Sequence, residues 1–191
     1  ALASTAHYLQ SSGWKQGQPW GFEVMLPAGF DYALADGAVK KTVAEWQQLG
    51  VLVPDTSAGS EQLSATLLLP AGYRGPAFLV FKNFDAIYSY NAAESYALAI
   101  AHLSDRLQGK GAFSSAWPTD DSGTSRAERR EIQQFLLSRG YDIGAADGLI
   151  GDKTRQAIRQ EQNRLGLSPT GRAGQQILQA FRSENAKAMM R

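Results

Sequence analysis

The chain has 191 residues, with 19 Lys and Arg against 18 Asp and Glu, a formal net charge of +1 and an apolar fraction of 43%. That is enough apolar material for a core, and the balanced charge excludes the strong positive field of a nucleic-acid binder. The absence of cysteine excludes disulfides and thiolate metal sites and suits a periplasmic protein as well as a cytosolic one.

In chain order, residues 1–12 carry Leu2, Ala6 and Leu9 as an amphipathic helical stripe that Gly13 stops. No signal peptide is visible, no Met begins the chain, and a start inside a helix reads as a fragment or processed piece. Gly21–Leu26 alternates Phe22, Val24 and Leu26 against Glu23 and Met25, a strand pattern. Lys41–Leu49 is a short predicted helix, with Thr42 as cap and Gly50 as stop. Ala65–Leu69 and Ala77–Phe81 are strand-like runs joined through a Pro- and Gly-rich loop, so residues 20–82 read as a small antiparallel β unit. A long helix is expected over 92–108, with Ala93, Tyr96, Ala97, Ile100, Leu103, Ser104 and Leu107 as its inner face. Residues 111–125 have the Ser, Asp, Gly and Pro content of a flexible linker.

Residues 126–183 form a predicted three-helix module, followed by a tail at 184–191. Its first helix shows Ile132, Phe135 and Leu136 and ends at Gly140. Asp147-Gly148 makes a tight turn, because glycine accepts positive φ. A second helix starts after Gly151 with Thr154, Ala157, Ile158, Glu161 and Leu165 in register, and a third carries Ile177, Leu178 and Phe181. No apolar run approaches the roughly 20 residues of a membrane span. His7 and His102 stand far apart without metal-ligand spacing and read as structural or surface residues.

Gln133…Leu136…Gly140-Tyr141, Asp147-Gly148…Gly151…Thr154…Ala157-Ile158…Gln162 and Gly166-Leu167…Gly171 together resemble the peptidoglycan-binding domain of bacterial cell-wall enzymes. The family's aromatic before the glutamine is Glu161 here. It falls on the apolar stripe and is expected to snorkel its carboxylate to the rim. On this resemblance Tyr141 and Ile150 give apolar floor, Asp147, Gly148 and the start of the second helix one side of a shallow site, and Arg155 an exposed charged rim. Amide N–H groups at the helix start would meet stem-peptide oxygens. A generic three-helix module whose glycines only serve turns is the alternative.

Asn83-Phe84…Ile87…Tyr90-Asn91…Tyr96-Ala97…Ala99-Ile100, with Ser4…Tyr8-Leu9…Gly13-Trp14, resembles the C-terminal half of membrane-bound lytic transglycosylases of the B type. Ala93 replaces the family serine, and His7 stands where the family has Asn. The implied fold class is α+β: residues 1–110 as part of a lysozyme-like helical core with an inserted antiparallel β domain, then the three-helix module. The implied activity is cleavage of the β-1,4 bond between N-acetylmuramic acid and N-acetylglucosamine, with a 1,6-anhydro product and no cofactor. One glutamic acid in an E-S motif on an early core helix does the acid–base work, kept protonated by an apolar site. Glu94-Ser95 repeats the dipeptide on the late helix, where Glu94 is a first-turn residue favoured by the helix dipole. No catalytic residue is therefore expected in this chain. Tyr8, Tyr90, Asn91 and Tyr96 match groove residues, through ring stacking on sugars and an amide that donates and accepts. The residues themselves also allow tyrosines that merely fill a core. Calcium binds some relatives through a D-x-D-x-D-type loop; Asp120-Asp121 and Asp142…Asp147 lack that spacing, and no metal site is expected.

The helices at 1–12 and 92–108 are expected to pack together, with Tyr8 near Tyr90–Tyr96. The expected partners are peptidoglycan glycan strands, stem peptides and a missing N-terminal part of the same protein. The expected location is the periplasm, with an outer-membrane anchor in that missing part as one arrangement. The alternative function is a non-catalytic wall-binding or scaffolding protein. The encoded sequence just upstream of Ala1 separates the two.

Overall fold

The structure is a computed structural model that describes residues 2–35, 37–54 and 59–189, with the backbone alone at Leu2 and Met189. Ala1 of the expected first helix, Met190 and Arg191 of the expected tail, and the Leu2 side chain lie outside the described residues. Two units form, Ala1–Ala116 and Trp117–Arg191.

In the first unit, helix α1 (Leu2–Ser11) ends where Gly13, at φ +93°, turns the chain away. Strands β1 (Gly21–Val24), β2 (Lys40–Thr42), β3 (Ser64–Leu68) and β4 (Ala77–Val80) form one antiparallel sheet in the order β1-β4-β3-β2. All four residues of β4 are buried, because successive side chains enter opposite cores. Ala77 and Leu79 join Val24, Val43, Trp46 and Leu67 on one face. Phe78 and Val80 join Trp20, Phe84, Ile87, Ala97, Leu98 and Ala101 on the other. The first core is closed by helix α2 (Val43–Gln48), which starts at the expected Thr42. Thr42 accepts from the Glu45 amide, and the Glu45 side chain accepts from the Thr42 amide, a reciprocal cap that satisfies two otherwise orphaned donors.

The second core is covered by helices α3 (Lys82–Asn91) and α4 (Glu94–Leu107). Sequence periodicity anticipates only one helix here. The two part at Ala92, in the left-handed region at φ 46°, and Ala93, which is extended. Alanine is the best helix former, so nothing local announces the break. The buried face of α4 also differs from expectation. It is Ala97, Leu98 and Ala101, whereas Ile100, Leu103 and Leu107 are 40%, 54% and 81% exposed. The phase of that face is set by α3, and without α3 the stripe is assigned to the wrong side. β2 was likewise not legible, being a three-residue strand of Lys-Lys-Thr.

The stretch read as a linker is hydrogen-bonded at both ends, each to its own unit. Phe113 packs on Phe78 and stacks on His102 at 3.8 Å between ring centres. The amides of Ser114 and Ser115 donate to the two Glu23 carboxylate oxygens at 2.7 and 2.8 Å. Burial pushes the Glu23 carboxyl up, but the contacts from Ser115 and Ser114 outweigh it, so it titrates below the ordinary range. Beyond, Asp121 pairs with Arg172 and accepts the Gln176 amide at 3.0 Å, and Thr124 donates to the Ala173 carbonyl at 2.6 Å.

The second unit packs α5 (Arg126–Ser138), α6 (Asp152–Arg164) and α7 (Gln175–Met189) around Ile132, Leu136, Ile158, Ile177, Leu178 and Phe181. Two glutamines within this core pin its turns. The Gln133 oxygen accepts the Gly148 amide at 2.7 Å, and the Gln162 oxygen accepts the Gly171 amide at 2.8 Å. Both side chains are buried, and the turn amides supply the partners a buried amide requires. Glu161 does not snorkel. It is 2% exposed and accepts from the Tyr141 hydroxyl at 2.9 Å and from Arg164 at 2.8 Å, with Arg139 at 3.6 Å. Glu184 on α7 bridges the same two arginines, and Arg139 lies 4.3 Å over the Phe181 ring. The carboxylate stays inside because paired cations and a hydroxyl reach it there.

Candidate functional site

In the first unit, α1 reaches α3 through aromatic and hydroxyl contacts. The Tyr8 and Tyr90 rings meet edge to face at 5.5 Å, and the Tyr8 and Ser89 hydroxyls are 3.1 Å apart. Tyr90 stacks on Tyr96 of α4, with ring centres 6.2 Å apart and planes 17° from parallel. The α1 helix thus meets α3, and α4 joins through Tyr96. Tyr90 is 66% exposed, and Asn91 beside it is exposed as well. The left-handed Ala92 immediately follows Asn91 and sets the direction in which α3 hands over to α4. The result is a row of phenol rings, exposed at Tyr8 and Tyr90 and half-buried at Tyr96, beside a side-chain amide, equipped to stack on sugar faces and to hydrogen-bond an acetamido group. Asn83, at the start of α3, is buried and structural. Its oxygen accepts the Lys15 amide at 2.6 Å and its nitrogen donates to the carbonyls of Lys15 and Gln18.

In the second unit, the Asp147-Gly148 turn lies directly on α5. Gly148 has φ +80°, and a Cβ there would stand 2.7 Å from the Arg126 carbonyl oxygen. Asp147 accepts the Leu149 amide at 2.8 Å and the Gln133 side chain at 3.2 Å. The Leu149 amide first, then Gln133, hold its carboxyl below the usual range. Three arginines of α5, which the sequence reading left unassigned, grip the turn. Nε of Arg126 and of Arg130 donates to the Asp147 carbonyl, and Nε of Arg129 to the Gly148 carbonyl. Their spacing at 126, 129 and 130 was the available signal, since it places all three on one helix face.

The remaining expected site residues of this unit are placed differently. Tyr141 is half-buried against the core with its hydroxyl on Glu161, and burial followed by that bond raises its pKa. Ile150 is half-buried next to the turn. Arg155 is half-buried and engaged, so it is no exposed rim cation. Gly151 precedes α6 without a side-chain cap on the helix. Among the described residues no group of three His, Asp or Glu side chains is placed to hold a metal ion, and no helix is long and apolar enough to cross a membrane.

Comparison with known proteins places these two units. Residues 1–105 match the transglycosylase SLT domain, and residues 125–181 match a peptidoglycan binding domain. The fold is similar to SltB3 from Pseudomonas aeruginosa in complex with NAG-anhNAM-pentapeptide, at TM-score 0.81 and 49% identity, covering 95% of this chain and 49% of that one. SltB3 in complex with NAG-NAM-pentapeptide matches at TM-score 0.80 and 49% identity, covering 94% of this chain and 49% of that one. The chain thus spans about half the length of the solved relatives it matches. A short stretch of 55 residues is 44% identical to the OxPP cycle protein OpcA of Synechococcus elongatus, covering 29% of this chain and 12% of that protein. With the SLT domain matched across more than half its length, the described lysozyme-like and β elements, and the second matched domain following in sequence, the chain belongs to the lytic transglycosylase family of the SLT domain.

Proposed function

We propose that this chain supplies one wall of the substrate groove and the wall-binding module of a lytic murein transglycosylase. The parent enzyme cleaves the β-1,4 bond between N-acetylmuramic acid and N-acetylglucosamine and leaves a 1,6-anhydro end. The observation that carries the reading is the Tyr8–Tyr90–Tyr96 row, exposed at Tyr8 and Tyr90 and half-buried at Tyr96, with Asn91 beside it, on a domain similar to SltB3 in its complexes with peptidoglycan fragments. In this assignment residues 1–110 bind glycan through those four residues and 126–183 bind the wall through the turn at Asp147 and Gly148, with Tyr141, Ile150 and Arg155 supporting it from within.

The acid–base glutamic acid belongs to the remaining part of the catalytic region. Supporting this, Ile100, Leu103 and Leu107 present an apolar strip on α4 that this unit leaves exposed, as further core helices would require. Glu94 sits in the first turn of α4, where a carboxylate is favoured by the helix dipole. A family acting on peptidoglycan works outside the cytoplasm; periplasmic placement and an outer-membrane anchor in the remaining part complete the proposal. The module holds the enzyme on a polymeric substrate and raises its local concentration there.

The chain is expected to release no anhydromuropeptides from purified sacculi, measured by mass spectrometry against a buffer control. Product above that control would overturn the assignment of the acid to the missing part and return Glu94 to consideration.

A further inference from the structure

Residues 117–191 hold twelve of the nineteen basic residues of the chain but nine of the eighteen acidic ones. Five of the twelve cations are matched by ion pairs among the described residues. Arg139 and Arg164 share Glu161 and Glu184, Arg172 pairs with Asp121, Arg182 with Glu131, and Lys153 with Asp142. Arg126, Arg129 and Arg130 are different. Among the described residues none of the three forms an ion pair, and all three converge on the carbonyls of one turn. Arg129 is half-buried and spends a second nitrogen on the Thr124 carbonyl at 2.9 Å. Arg126 and Arg130 are exposed and bind the same oxygen, that of Asp147, through Nε at 3.1 and 3.2 Å. With Nε spent on that carbonyl, the terminal amino groups of these two exposed guanidiniums remain as donors for a further acceptor.

A guanidinium held at Nε keeps a planar pair of donors, and such forks match carboxylate geometry better than a point charge does. Two of them side by side repel unless an anion sits between them. The one acid at the turn, Asp147, has Oδ1 committed to Leu149 and Gln133, and its charge also acts on Arg126 without forming an ion pair. We propose that Arg126 and Arg130 form the carboxylate-recognition site of the C-terminal module, taking the free carboxylates of a peptidoglycan stem peptide. This rests on the wall-binding reading of the module, and it places anion recognition on α5 rather than on Arg155 and the start of α6.

The test uses the whole chain and a soluble NAG-NAM-pentapeptide, offered with free and with amidated carboxyl groups, with dissociation constants from calorimetry. Amidation is expected to weaken binding at least tenfold in the unmodified chain. Arg126→Gln/Arg130→Gln is expected to weaken binding of the free-acid ligand at least tenfold and to remove the difference between the two ligands. Arg126→Lys/Arg130→Lys, which keeps charge without the fork, should fall between. Equal affinity of the unmodified chain for both ligands would overturn the proposal, and that comparison needs no variant to fold. So would a folded glutamine variant that binds as tightly as the parent. Sedimentation with sacculi separates the two levels of inference. A chain that pellets equally with and without the glutamine changes keeps the wall-binding reading and loses this site; a chain that never pellets or binds loses both.

Discussion

Gly148 shows how one residue couples a turn to a helix. Its φ of +80° already disfavours a side chain, and the Arg126 carbonyl occupies the space a Cβ would take. The left-handed conformation costs a non-glycine residue roughly 1–2 kcal/mol, and forcing a methyl group into packed backbone adds a cost of about 1–3 kcal/mol. Gly148→Ala is therefore expected to destabilise the second unit by about 3 kcal/mol, read from denaturant midpoints; a change under about 0.5 kcal/mol, the range of an ordinary surface substitution, would show that the turn does not rest on α5. Glu161 makes a related point about position. An aromatic there would fill space on the apolar stripe, whereas the carboxylate draws in Arg139, Arg164 and Tyr141 and through them ties α6 to Glu184 of α7. Charge has replaced apolar area as the link between those helices.

Helix α5 depends on its first turn. Ser125 accepts the Glu128 amide, and the Glu128 carboxylate accepts the Ser125 amide at 2.7 Å. Glu128 also accepts from the Gln175 side chain at 2.8 Å, which joins the starts of α5 and α7. That bond, with those from Ser125, lowers the Glu128 pKa from 4.5 to about 2. A carboxyl depressed in the folded state stabilises it above the unfolded pKa and loses that contribution as pH falls toward the folded value. Glu131, held down mainly by Arg182, and Glu184, held down mainly by Arg164, act in the same direction. The melting temperature of the second unit is expected to fall steadily as pH drops from about 5 to about 2, followed by circular dichroism. In Glu128→Gln the slope should be shallower; an unchanged slope would remove Glu128 from the account.

For the whole chain, the connection between the units is shorter than its composition implies. Glu23 holds Ser114 and Ser115, Gln176 donates to the Asp120 carbonyl, and Arg172 and Ala173 hold Asp121 and Thr124, so residues 116–119 remain between the two anchored ends. Limited proteolysis should cut first within 116–119, with Glu23→Ala extending cleavage back through 112–115; early cutting across all of 109–125 in the unmodified chain would refute the docking. The sequence by itself determined what near neighbours control. These are the Thr42 cap, the Asp147-Gly148 turn, the strand alternation at Phe22–Leu26, the helical registers of α5, α6 and α7, and the motif spacings behind both family resemblances. Each is settled within a turn or two of backbone by dihedral preference, capping or periodicity. Tertiary structure decided the rest. It split α3 from α4 at two alanines, turned Ala97, Leu98 and Ala101 inward instead of Ile100 and Leu103, buried β4 on both faces, and drew Glu161 into the core. It also set Tyr8 against Tyr90 and laid Arg126 and Arg130 over Asp147. These outcomes depend on partners beyond the local turn, from about ten residues away for α3 against α4 to about eighty for Tyr8 against Tyr90, because which face is buried, and whether a charge is tolerated there, is a property of what packs against it.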